Sequence, residues 1–298
     1  MNTFLNIIAS SIRMSIPLGY ASIAGAISEF SGIVALGLEG FMTIGAFAGV
    51  LGAYYFGSAW IGVLTAAAAG ALYALIFGVF CVRYQSNQVV AGVGMNIIAE
   101  GLVSVLMIGI FGSKGKSAMV ASLSTIQIPV IKEIPVLNVL LSGYSGLAYL
   151  LAAVTVISWI VIYRMPIGIR LRAAGINDRV VDSLGLRSDL IKYVSVMVCG
   201  GLSALGGAFL SLSQLNFYSK DMVAGRGYIA LAIFVFAKKN PVYCVWISIL
   251  FGLTETIQLR MQAFPIPTQF LSMIPYLCTL IMLLFAAKDF KTQRKEHA

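Results

Sequence analysis

The sequence contains a single histidine, His297, and only 10% of its residues are charged. One histidine excludes Ser-His-Asp triads, clustered histidine metal ligands and histidine proton relays. Soluble domains carry about 25% charged residues, so a soluble globular fold is excluded as well. Its four cysteines, Cys81, Cys199, Cys244 and Cys278, all sit within or beside apolar runs and never form a CxxC pair. They read as buried free thiols, and no bound metal is expected. HExxH and paired-aspartate signatures are both missing, which leaves little chemistry for an intramembrane enzyme.

What the chain has in abundance is apolar length. Of its 298 residues 59% are hydrophobic, in runs at Ala59 to Val82, Val89 to Gly112, Gly146 to Tyr163, Val194 to Ser213, Val242 to Leu259 and Phe270 to Ala287. Each run approaches the roughly 20 residues that cross a bilayer core. Barrel strands are about 10 residues long and alternate in polarity, a pattern not found here. The expectation is an all-α polytopic membrane protein with eight or nine spans, some of them broken or half-spanning, built as one transmembrane domain over 1–298. Phe4 to Ile27 reads as a first span kinked at Pro17 rather than a signal peptide, because no basic region precedes it.

A net charge of +9 would suit a nucleic-acid binder, but the basic residues cluster in short loops, as the positive-inside rule expects. No nucleic-acid partner is therefore predicted; the lipid bilayer is the partner. Tyr163 to Tyr193 forms a charged island holding Arg164, Arg170, Arg172, Arg179, Arg187 and Lys192 with Asp178, Asp182 and Asp189. Placing residues 164–192 in the cytoplasm puts thirteen of the twenty basic residues on that side. Residues 113–145 become an outer loop, residues 288–298 a cytoplasmic tail, and Arg226 falls outside.

Two segments are too irregular for simple spans. Ile33 to Gly57 carries Glu39 and, within it, Gly37, Gly40, Gly45, Gly49 and Gly52, and Tyr228 to Ala237 is only about 15 Å of helix. Broken and half-length helices line substrate paths in transporters; alternatively Gly45 and Gly49 serve close helix packing. Asn96 and Glu100 lie one turn apart, with Gln88, Gly92 and Ser104 extending the row. Ser248, Gly252, Glu255 and Gln258 form a second row. A buried carboxylate is expensive in a membrane, so these polar groups either line a solute path or join helices by hydrogen bonds. The run from Gly112 to Ser117 resembles a phosphate-binding loop, but GxxxxGK[ST] needs glycine where Ile110 stands. If ATP drives this protein, another chain binds it.

Inside the island, Pro166 and Gly168 are expected to end the incoming helix. Ile169 to Ala174 then forms a short amphipathic turn before Gly175. Ile169, Leu171, Val180, Val181, Leu184 and Leu186, set among arginines, suit docking into a partner's groove, although a solvated topology-fixing loop has the same composition.

These segments, taken in order, resemble the permease subunits of bacterial ABC importers, in the branched-chain amino acid and simple sugar permease superfamily. The matching stretches are SGIVALGLEGFMTIGAFAGVL (Ser31–Leu51), NQVVAGVGMNIIAEGL (Asn87–Leu102), IPVIKEIPVLNVLL in the outer loop, MPIGIRLRAAGIND (Met165–Asp178) and AGRGYIALAIFVFAKKNP (Ala224–Pro241). Ala237 replaces a usual glycine and Asp178 a usual proline. Glu39 with Asn87 and Gln88 resembles the nucleoside-uptake subgroup; simple sugars or branched-chain amino acids are the alternative cargo, and an ATP-independent channel or secondary transporter using Glu100 or Glu255 is the alternative class. The resemblance implies a multi-pass protein of the bacterial cytoplasmic membrane with no cofactor of its own. Its implied partners are a cytoplasmic ATPase that binds the ATP, a second and different permease chain, and an extracytoplasmic solute-binding lipoprotein. Glu39, Asn87, Gln88, Asn96, Glu100 and Glu255 are the implied solute-path residues. Gly168, Ile169, Arg170, Leu171, Arg172, Ala174, Gly175 and Asn177 are the implied coupling segment.

Overall fold

The structure is a computed structural model and describes residues 2–126, 143–262, 270, 273–275 and 277–280. Its helices are α1 (Asn2–Phe30), α2 (Leu38–Phe56), α3 (Ala59–Gly78, continued by a π-helical turn over Val79–Arg83), α4 (Gln88–Phe111), α5 (Gly146–Arg164), α6 (Pro166–Ile176), α7 (Asp178–Ser183), α8 (Ser188–Phe209, continued by a π-helical stretch over Leu210–Leu215), α9 (Arg226–Phe236) and α10 (Pro241–Met261). Six of them, α1, α3, α4, α5, α8 and α10, have the length and apolar composition to cross a membrane. To these are added α2, buried along almost its entire length, and the half-length α9 of 11 residues. The expected all-helical polytopic fold is what the chain adopts. Phe270–Ala287 falls largely outside the described residues; the tail at 288–298 and the IPVIKEIPVLNVLL segment fall wholly outside them.

Buried α1 and α8 form the centre of the bundle, while α4 presents most of its surface outward. A helix that is apolar all round has no polar face to turn to water, and in lipid only close packing distinguishes a neighbouring helix from an acyl chain. Small residues supply that closeness. A Cβ on Gly45 would lie 2.3 Å from Ala204 Cα, one on Gly207 1.9 Å from the Met42 carbonyl oxygen, and one on Gly70 2.3 Å from Ala204 Cβ. These contacts lock α2 and α3 onto α8. Gly45 and Gly49 therefore pack against Ala204 and Ala208, and Gly40, Gly45, Gly49 and Gly52 all lie within an unbroken helix. The expected break is confined to Ser31–Gly37. Likewise α1 runs unbroken through Pro17.

The two ends of the bundle are fixed by polar contacts. At one end Lys239 pairs with Glu29 at 3.3 Å, close to Phe30 and the charged island. At the other, Arg13 donates to the Gly143 carbonyl at 3.4 Å and lies over the Tyr144 ring. The start of α1 thus sits on the face opposite the island. On that face Thr125–Ile126 pairs antiparallel with Tyr144–Ser145, and Lys116 bridges to Ser219.

The island is more ordered than a turn inside a loop. Pro166 ends α5, since the preceding Met165 is held in extended backbone, and also opens α6, because a helix's first residue needs no N–H; Gly168 lies inside α6 instead of ending α5. α6 continues through Gly175 to Ile176. Asn177 then breaks the direction with extended backbone and accepts a hydrogen bond from the Arg179 N–H, capping α7. Asp182 accepts from the Ser188 N–H at 3.0 Å where α8 begins. That bond holds the Asp182 carboxyl below the ordinary aspartate range.

Candidate functional site

Ser31–Gly37 leaves its backbone without helical partners in a setting where unpaired polar groups are costly. Side chains supply the missing bonds. Ser28 Oγ donates to the Ile33 carbonyl at 2.8 Å. From α4, Gln88 Oε1 accepts from the Val34 N–H at 2.9 Å, and its Nε2 donates to the Gly32 carbonyl at 3.3 Å. Two turns further on, Asn96 Oδ1 accepts from the Gly40 N–H at 2.8 Å, while its Nδ2 donates to the Leu36 carbonyl and to the Tyr228 hydroxyl. Gly92 lies between them, where a Cβ would meet Leu36 Cβ at 2.6 Å. The row of residues on α4 is therefore a clamp on the unwound segment. Asn87 caps α4, accepting from the Val89 and Val90 N–H groups.

The far end of the unwound segment delivers Glu39 into the first turn of α2. Glu39 is 7% exposed. Its Oε1 accepts from the Gly225 N–H at 2.8 Å and its Oε2 from the Gly227 N–H at 2.7 Å. The carboxylate thus caps the start of the half-helix α9, where free N–H groups and the helix dipole favour negative charge. Gly227 is what allows the approach, since a Cβ there would lie 2.4 Å from the Glu39 nitrogen. Gly225 adopts φ +80°, a left-handed conformation that suits glycine.

Beside this junction is a polar cavity of about 240 Å³ lined by Glu39, Thr43, Glu100, Tyr218, Asp221, residues 222–225 and Tyr228. Glu100 reaches it as an exposed side chain one turn beyond Asn96. Glu255 does not join this cavity. It forms an ion pair with Arg226 at 3.2 Å on the other side of the α9 start, beside a separate cavity of about 170 Å³ with Gln258. Arg226 also donates to the Met222 and Val223 carbonyls. Arg226 is therefore partly buried and paired rather than a free loop cation; a pairing across 29 residues leaves no local sequence pattern. Elsewhere in that row Ser248 meets Ser22 at 3.3 Å and Gly252 packs on the Ser11 carbonyl, a helix seam. Tyr218, Asp221 and Tyr228 were not singled out from sequence, although Tyr228 follows the Gly-Arg-Gly that starts α9.

The island residues divide by face. Gly168, Leu171 and Ala174 are buried, and a Cβ on Gly168 would lie 2.2 Å from the Ile162 carbonyl oxygen. Arg172 turns back to the Gly168 carbonyl and the Tyr163 ring. Ile169, Arg170, Ile176, Val180 and Leu184 are exposed. Gly175 abuts the start of the unwound segment: its Cβ would lie 2.2 Å from the Phe30 carbonyl oxygen and 2.9 Å from the Gly32 nitrogen. The same seven-residue segment therefore touches α6 at one end and carries Glu39 just past the other.

A family described as branched-chain amino acid transport system / permease component matches residues 7–285. The chain belongs to this permease family. The permease is 33% identical to the nucleoside ABC transporter permease protein NupC of Lactococcus lactis subsp. cremoris, over 97% of its own length and 94% of that relative. It is 30% identical to the guanosine ABC transporter permease protein NupQ of Bacillus subtilis, covering 93% and 90% of the two chains. Among solved structures, an inward-facing metal-chelate type ABC transporter superposes with a TM-score of 0.53 at 12% identity, over 94% of the permease and 85% of that chain; this likeness concerns the fold alone. Apolar spans and family together make the permease a multi-pass cell-membrane protein.

The clamp and the cap differ in consequence. Asn87→Ala in the permease removes one helix cap and is expected to cost about 1 kcal/mol. Asn96→Ala strands the Gly40 N–H and the Leu36 carbonyl, each at about 1–3 kcal/mol. Thermal unfolding of the detergent-purified permease checks the order: Asn96→Ala should melt several degrees below Asn87→Ala.

Proposed function

We propose that this chain is a nucleoside-translocating subunit of an ATP-driven importer. It works beside a second, different permease chain, receives solute from an extracytoplasmic binding lipoprotein, and is driven by a cytoplasmic ATPase that binds the ATP, so the chain needs no cofactor itself. The observation that carries this reading is the end-to-end similarity to two permeases named for nucleosides and guanosine. The chemistry of the cavity agrees with it. Glu100 and Asp221 offer carboxylate acceptors for ribose hydroxyls and base N–H groups, and Tyr218 and Tyr228 offer hydroxyls and ring faces. At the island, the exposed Ile169, Ile176, Val180 and Leu184 form the apolar side presented to an ATPase groove. Displacement of α6 passes through Gly175 into the unwound segment and on to the Glu39 cap of α9, so closure of the ATPase shifts the wall of the solute cavity.

The test is uptake of labelled guanosine by the reconstituted complex. Excess unlabelled nucleosides should compete fully, while ribose and leucine should leave uptake unchanged. Competition by ribose or leucine as strong as by nucleosides overturns the cargo assignment. Transport by the isolated chain without an ATPase overturns the importer assignment.

A further inference from the structure

An apolar groove of about 420 Å³ lies outside the solute site, between α5 and α8, with α6 across its island end and Ile27 of α1 in its floor. Along α8 it extends from Leu190 to Leu202. Those twelve steps make about 18 Å of helix at 1.5 Å per residue. One leaflet of a hydrocarbon core is about 15 Å deep, so the groove matches one leaflet in length. Its wall residues Ile157, Val194 and Val198 are substantially exposed. In the floor, the Ser195 hydroxyl is already used by the Ile27 carbonyl at 3.0 Å, and buried Ser158 is the other hydroxyl in an otherwise apolar lining.

Charge enters the groove only at the island end, through Arg170. Neighbouring cations are occupied: Arg164 over Trp159, Arg172 over Tyr163, and Lys192 on Asp178. Arg170 has no hydrogen-bond, ion-pair or ring partner among the described residues. An open guanidinium at the island end of a leaflet-length apolar channel has the form of a phospholipid site; basic pockets between helices recognise lipid headgroups in this way, and arginine binds phosphate through paired charge-assisted hydrogen bonds.

We propose that this groove binds one anionic phospholipid of the island-side leaflet, with an acyl chain along α8 and the phosphate on Arg170. A second copy of this chain is the poorer occupant, because two-fold pairing about the membrane normal would bring two Arg170 charges to the same end. The proposal rests on the membrane placement of α5 and α8 and is independent of the solute carried.

Native mass spectrometry of the full chain, released from nanodiscs of phosphatidylcholine containing one-third phosphatidylglycerol, tests it. One phosphatidylglycerol per chain should survive detergent exchange in preference to phosphatidylcholine. Arg170→Gln should reduce its retention about tenfold, as loss of a charge-assisted pair predicts. Val198→Trp, which fills the groove and keeps the charge, should also expel it, and Arg164→Gln should not. Equal retention of the two lipids, or retention unchanged by Arg170→Gln and Val198→Trp, overturns the proposal. So does loss of the lipid whenever the second permease chain is present, which would make the groove a subunit interface.

Discussion

Glu39→Ala is expected to abolish ATP-driven uptake and to lower the melting temperature of the purified permease by several degrees. The carboxylate takes two backbone N–H groups, from Gly225 and Gly227 at 2.8 and 2.7 Å. Its removal strands both donors beneath the start of α9, and each unsatisfied buried group costs about 1–3 kcal/mol. The same side chain lies in the first turn of α2, so two helix N-termini lose their negative charge together. Glu39→Gln separates stability from shape. The amide fills the same volume and retains one acceptor oxygen, but its NH2 faces an N–H and cannot accept. We expect Glu39→Gln to remain folded with uptake reduced about tenfold or more, since loss of one charge-assisted bond is worth at least about 1.5 kcal/mol. Normal guanosine uptake by Glu39→Gln would remove the cap from the mechanism.

Much of this junction was legible before the fold. A lone carboxylate in an apolar run, ten apolar residues between Arg226 and Lys238, and an amide-bearing row on α4 all pointed to the right elements. What the row does was not legible. Gln88 and Asn96 spend their amides on backbone because Ser31–Gly37 is unwound, whereas the glycines of Ile33–Gly57 spread the expected irregularity over the whole segment instead of placing it at SGIVALG. Apart from Ser28, the side chains that hold it unwound lie more than 50 residues away, a tertiary effect with little local signature. For the glycines of α2 two readings stood open, breakage and close packing, and the second holds. Their low helix propensity reads as breakage, yet Gly45 and Gly52 lie where any Cβ would strike Ala204 or Thr65, and close packing outweighs propensity. Glu255 stands out in the sequence for the same reason as Glu39, and its pairing with Arg226 beside a separate cavity has no local signature either.

Gly175→Leu is expected to leave ATP hydrolysis by the assembled complex running while uptake per ATP falls about tenfold, a loss of about 1.4 kcal/mol of coupling. The substitution suits α6 itself, because leucine is a better helix former than glycine. It does not suit the neighbour: a Cβ would lie 2.2 Å from the Phe30 carbonyl oxygen and 2.9 Å from the Gly32 nitrogen. Both are backbone atoms, and Gly32 itself sits at φ +85° with its own Cβ position 3.2 Å from Gly175 Cα. Neither side can yield by changing a rotamer, so α6 must lift away from the unwound segment. The outward residues Ile169 and Ile176 would still meet the ATPase, which is why hydrolysis continues and why measuring uptake and phosphate release on the same proteoliposomes is decisive. Combined replacement of Arg170, Leu171 and Arg172 by alanine acts differently. It removes buried Leu171 and the Arg172 contacts to Gly168 and Tyr163, loosening α6 while leaving Gly175 in place. Normal uptake per ATP in that triple variant together with Gly175→Leu would mean that force enters the permease elsewhere than α6. Loss in Gly175→Leu with hydrolysis intact would locate its entry at the contact between α6 and the segment that ends at Glu39.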